Sequence, residues 1–88
     1  MVARVVTVVN PLGLHARAAA RFVRVAGGFR SQVRVTRGTR TTDGKSILGL
    51  LLLAAARGTE LRIVAEGSDE TEAVEALVAL TARGFEDP

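Results

Sequence analysis

Eighty-eight residues, 48% of them hydrophobic, suffice for one modest core and not for two, so a single domain over residues 1–88 is expected and a large enclosed active-site cavity is not. With no cysteine and one histidine, the chain excludes a disulfide framework, a thiolate metal site and an ordinary zinc centre. Net charge is +3, but ten of the twelve basic residues and a single acid, Asp43, lie up to Arg57, while the other eight acids follow it. That basic half suits either nucleic acid or an acidic protein.

Met1–Thr7 lacks the charged leader and long apolar stretch of a signal peptide, and the longest apolar run, Leu50–Ala56, is too short to cross a bilayer. A cytoplasmic location without membrane insertion is therefore expected. Val6 and Val8 flank Thr7 in a β-branched first strand that ends at Asn10-Pro11. After Leu14 the period changes: Ala19, Phe22, Val23 and Ala26 recur on one helix face, Arg17, Arg21 and Arg24 on the opposite one, and Gly27-Gly28 stops the helix. His15 stands at the start of that helix, where unpaired backbone N–H groups and the positive end of the macrodipole favour an anion. We read this as a site for a phosphoryl group.

Phe29, Ser31, Val33 and Val35 alternate with Arg30, Gln32, Arg34 and Thr36 as a half-buried strand, and Arg37-Gly38 turns it into a shorter one through Arg40 to Thr42. Asp43-Gly44 breaks that strand, and Ser46 is placed to cap a helix from Ile47 to about Ala56, with Gly58 as its left-handed terminator. This helix has no charge before Arg57. Its projection puts Leu50, Leu53 and Ala54 on one face and Ile47, Leu48, Leu51 and Ala55 on another, of which only one can be buried in a single core. The second face is a candidate docking patch.

Leu61, Ile63 and Ala65 form the last strand, closed by Gly67. Asp69 and Glu72 have the spacing of a capping pair for a final helix whose core stripe is Ala73, Val74, Leu77 and Leu80, ended by Gly84. The order β-α-β-β-α-β-α favours parallel first and second strands with the last strand inserted antiparallel between them. The expected fold class is α+β: an open-faced β-sandwich, a four-stranded antiparallel sheet covered on one face by three helices.

Three segments, Asn10-Pro11-Leu12-Gly13-Leu14-His15-Ala16-Arg17-Ala18-Ala19-Ala20, Asp43-Gly44-Lys45-Ser46-Ile47-Leu48-Gly49 and Ala65-Glu66-Gly67-Ser68-Asp69-Glu70, agree in order and spacing with one family. The chain resembles HPr, the histidine phosphocarriers of the bacterial phosphoenolpyruvate-dependent phosphotransferase system. The resemblance implies that His15 accepts a phosphoryl group on Nδ1 from phosphorylated enzyme I and passes it to IIA-type proteins, with Arg17 steadying the phosphate and no cofactor or metal on this chain. It implies a partner surface of Ala16, Ala20, Arg21, Arg24, Ile47, Leu48 and Leu51, and it makes Ser46 a regulatory phosphorylation site for a serine kinase. A carrier that alternates between partners is expected to be a monomer without independent turnover. Ala18 stands where sugar-branch members usually carry proline, so the sugar branch and the nitrogen-related regulatory branch both stay open. Outside the family, a basic RNA-binding α/β module is one alternative and a small phosphatase using Arg17 and Asn10 another. Only Phe22, Phe29 and Phe85 could stack on bases, and the first two fall on faces expected to be buried.

Overall fold

In the computed structural model, which describes residues 1–87, the chain runs β1 (Val2–Thr7), α1 (Ala16–Gly27), β2 (Gln32–Arg37), β3 (Arg40–Asp43), α2 (Ile47–Leu52), β4 (Glu60–Glu66) and α3 (Glu70–Ala82), followed by a 3₁₀ turn at Gly84–Glu86. The sheet order is β1-β4-β2-β3 with every neighbouring pair antiparallel. β1 and β2 both run against β4 and are therefore parallel to each other, as the strand-helix-strand order requires. The β4–β2 register pairs Ala65 with Val33 and Ile63 with Val35, so these apolar side chains share the helix-covered face and are fully buried. Gln32, Arg34, Arg62 and Glu66 point the other way and are exposed, which leaves that face bare.

Onto the inner face α1 lays Ala18, Ala19, Phe22 and Ala26, and α3 lays Ala73, Val74, Leu77 and Leu80, all buried. The small alanines of α1 let its backbone lie close, and Phe22 fills the space beyond them. Phe85 of the 3₁₀ turn is also fully buried, which anchors the end of the chain to the same core.

The second helix is shorter than its apolar run suggests. It stops at Leu52 rather than near Ala56, with Leu53 as its cap, and Ala54 at φ 51°, rather than Gly58, is the positive-φ residue that follows the helix end. Two features end it. Arg37 and Arg40 donate to the carbonyls of Leu53 and Leu52 at 3.1 and 3.2 Å, satisfying groups that another turn of helix would have used. The chain then reverses to bury Ala55, whose carbonyl receives the Leu14 N–H at 2.9 Å, so Ala54 is exposed where the projection had it inside. Gly58 serves instead in the turn into β4, donating to the Val8 carbonyl at 2.7 Å.

Asp69 also differs from expectation. It sits at the N-cap of α3 but makes no side-chain cap bond, and Glu70 rather than Glu72 reaches back, to the Gly67 N–H at 3.2 Å. The Asp69 carboxylate instead accepts from the Ser31 hydroxyl and from the Arg30 and Ser31 N–H groups at 2.9 Å, tying α3 to the turn before β2. The Ser31 hydroxyl foremost, then the Arg30 amide, hold its pKa down to about 2 against an ordinary 3.8. A carboxylate whose folded pKa is depressed stabilises the fold above its unfolded pKa and loses that contribution as pH falls. Thermal melting should therefore show wild type losing stability relative to Asp69→Asn between about pH 4 and about pH 2, with a constant difference from pH 5 to 7. Parallel curves through the acid range would mean the carboxylate carries no such linkage.

Candidate functional site

The residues between β1 and α1 are fixed by their own backbone. Buried Asn10 donates from Nδ2 to the Gly13 carbonyl at 2.8 Å, and its backbone carbonyl takes the Gly13 N–H at 3.1 Å. Gly13, at φ 67°, lets Leu14 turn inward and the Leu14 N–H reach Ala55. The next residue is therefore delivered at the first turn of α1 with about a quarter of its side chain exposed. His15 is the N-cap of α1: its backbone is extended, its carbonyl accepts from Ala19 N–H at 2.8 Å, and Nδ1 accepts from Arg17 N–H at 3.2 Å.

An imidazole in the usual Ser or Asp capping role has a chemical consequence. The nitrogen that accepts an amide proton must present a lone pair, so in the neutral ring the proton resides on Nε2. Nε2 lies 2.8 Å from Oδ2 of Asp87, 72 positions further along the chain. The same carboxylate takes two bonds from Arg17 through Oδ1, from Nε at 3.0 Å and Nη2 at 2.7 Å, and Asn10 Nδ2 approaches Oδ2 at 3.5 Å. The Asp87 side chain is fully covered, whereas His15 and Arg17 are 24% and 57% exposed. The hydrogen bond from His15, opposed by burial and assisted by Arg17, keeps the Asp87 carboxyl below the usual carboxylate range. The 3₁₀ turn that carries it has Phe85 and Glu86 at φ near 60° and is held by Arg21 Nη1 on the Phe85 carbonyl at 3.0 Å.

The structure thus brings His15 and Arg17 together as the spacing suggested, and adds an acid that the sequence around them does not show. Asp87 follows Gly84 by three residues in a segment with no motif, and no local pattern announces it. Of the arginines on the outer face of α1, Arg17 and Arg21 are engaged by the C-terminal turn and Arg24 is exposed. Asn10 serves the loop rather than a phosphate, because its amide faces Gly13 and Asp87 from a buried position. This removes one of the two residues that a phosphatase reading requires.

Next to the ring is a shallow cleft of ≈ 230 Å³ lined by Leu12, Leu14, His15, Ala54, Ala55 and Ala56. α1 packs beside α2, and around this corner lie exposed Ala16, half-buried Ala20 and the exposed side chains of Ile47 and Leu48, 42% and 68% accessible. Leu51 is half-buried and Leu52, which the projection did not single out, is 64% exposed, so the patch extends along the outer side of α2. Ser46 caps α2, accepting from Gly49 N–H at 3.0 Å, directly before the two exposed apolar residues. Among the described residues no cluster of three or more metal-ligating side chains occurs, and no helix is long and apolar enough to cross a membrane.

The family profile described as "PTS HPr component phosphorylation site" matches residues 2–83. The phosphocarrier protein HPr of Cupriavidus necator is 47% identical over 85 residues, covering 97% of this chain and 96% of the relative. That of Pseudomonas aeruginosa is 51% identical over 83 residues, covering 93% and 92%. Among solved structures, HPr-C-His from Thermoanaerobacter tengcongensis superposes with a TM-score of 0.95 at 39% identity, over 100% of this chain and 99% of that one. A match to the whole-domain profile, relatives of such identity and a shared fold place this chain in the HPr family of phosphotransferase-system phosphocarrier proteins.

Proposed function

We propose that His15 accepts a phosphoryl group on Nδ1 from phosphorylated enzyme I and yields it to IIA-type proteins, in sugar uptake or its regulation. The observation that carries this reading is the Nδ1 lone pair, held by the Arg17 amide at the start of α1. A group attached there meets the backbone N–H groups of the first helical turn and the Arg17 guanidinium, so its charge is matched without a metal on this chain. Phosphoryl transfer asks a protein mainly for position and charge stabilisation, and a shallow, partly exposed site lets two partners reach the same atom in turn. The carrier acts as a cytoplasmic monomer and turns nothing over alone.

Partners dock on Ala16, Ala20, Arg21, Arg24, Ile47, Leu48 and Leu51, where a few apolar anchors ringed by arginine suit brief contact with acidic surfaces. A phosphate placed on Ser46 by a kinase would set negative charge beside Ile47 and Leu48 and weaken that contact. The RNA-binding reading needs ring faces at the surface, and Phe22 and Phe85 are buried with Phe29 partly so. Incubation with phosphoenolpyruvate, magnesium and purified enzyme I, followed by intact mass, should show one acid-labile phosphoryl group on wild type and none on His15→Ala. Label on a serine under these conditions, or on His15→Ala as on wild type, would overturn the assignment.

A further inference from the structure

Resting on that reading, we propose that Asp87 is a positioning residue for phosphoryl transfer: its carboxylate holds the His15 proton on Nε2, so that Nδ1 carries none, and it compensates the charge the ring gains. The argument is one of donors and acceptors. Arg17 offers only donors, and it takes Oδ1 through both Nε and Nη2. His15 meets the other oxygen at 2.8 Å, and a carboxylate is an acceptor there, so Nε2 must carry the proton. Arg17 N–H donates to Nδ1 on the far side of the ring, which enforces the same tautomer. The ring is thus held at both nitrogens, with the backbone contact at 3.2 Å the looser of the two.

During transfer the hydrogen bond from Arg17 N–H to Nδ1 breaks, and the freed Nδ1 lone pair forms the new bond to phosphorus. The bond between phosphorus and the donor's leaving atom breaks, and its electron pair returns to the donor. No proton leaves the ring: Nε2 keeps its hydrogen, the phosphorylated imidazole becomes cationic, and the fully buried Asp87 carboxylate lies against that charge. On the onward step the acceptor's nucleophile forms the new bond to phosphorus, the bond to Nδ1 breaks with its electron pair returning to the ring, and the same neutral tautomer is regenerated. This is the orienting role of the carboxylate behind a histidine in a nucleophile–histidine–acid triad, here applied to a histidine that is itself the nucleophile.

Two substitutions separate this role from packing. In Asp87→Asn the amide keeps the shape, but the oxygen goes to the charged, doubly donating Arg17 and the NH₂ is turned onto Nε2. Nε2 must then accept, the looser contact from Arg17 N–H gives way as the proton moves to Nδ1, and the nucleophilic lone pair is lost. In Asp87→Ala the ring is merely released. We expect phosphoryl uptake from phosphorylated enzyme I in single-turnover assays to fall about a hundredfold in Asp87→Asn and about tenfold in Asp87→Ala, with the concentration giving half-maximal rate unchanged. Imidazole ¹⁵N shifts at a pH where the ring is neutral should show Nδ1 unprotonated in wild type and protonated in Asp87→Asn. A purely structural Asp87 would give the reverse order, the isosteric amide mild and alanine worse, and that result overturns the proposal. So does an unchanged tautomer in Asp87→Asn. Failure of wild-type His15 to take any phosphoryl group would instead sink the relay assignment itself, and this role with it.

Discussion

Arg17→Ala should accept the phosphoryl group about a hundredfold more slowly than wild type, the lower end of what removing one preorganised charge-stabilising donor costs. Two effects act together. The guanidinium no longer meets the negative charge that builds up beside Nδ1, and it no longer neutralises Asp87, whose carboxylate then stands close to an incoming anion with only His15 to balance it. Arg17→Lys restores the charge but not the side-on pair of bonds through Nε and Nη2, so it should recover only part of the rate. Rapid-quench transfer from phosphorylated enzyme I measures both, and the His15 ¹⁵N signals report whether the ring has kept its tautomer. A wild-type rate in Arg17→Ala would remove the guanidinium from the transition state.

Gly13→Ala should be the most damaging small change in the site loop. A Cβ at this position would lie 2.5 Å from the Ala55 carbonyl oxygen and 3.0 Å from the Ala56 Cα, both backbone atoms that cannot swing aside, and the φ of 67° is itself unfavourable for alanine. The Ala55 carbonyl is the one that receives the Leu14 N–H, so relieving the clash breaks the bond that sets where His15 enters α1. We expect a loss of about 2–5 kcal/mol in stability from strain and overpacking together. Urea unfolding should show it as a lower midpoint at unchanged slope, and phosphoryl uptake below the midpoint should fall as well. Wild-type stability would show that the loop can be displaced without cost, against the packing seen here.

Most of the fold is legible in local patterns, because β2, β4 and two of the helices each bury one regular stripe. Val33 and Val35, Leu61, Ile63 and Ala65, and Ala73, Val74, Leu77 and Leu80 all fall inside, as their spacing indicates. The Ile47–Ala56 segment was harder to read, since a stretch of leucine and alanine carries no period to mark its end. Its end is set by Arg37 and Arg40 from the β2–β3 hairpin and by the meeting of Ala55 with Leu14, contacts that no local pattern encodes. Asp69 likewise has the spacing of an ordinary cap, and its carboxylate is drawn away by Ser31, 38 residues earlier.

The sequence by itself determined the phosphocarrier signature: one imidazole at a helix start, an arginine two positions on, and a basic, partly apolar surface around them. The imidazole and the arginine are local to one helix start, and helix geometry sets them side by side. Tertiary structure decided what meets the proton on the other nitrogen of His15, Nε2. Its partner is an acid 72 residues away, brought there because buried Phe85 fastens the final turn against α1. A hydrogen-bond partner so distant in the chain is selected by packing, and packing is a property of the folded whole.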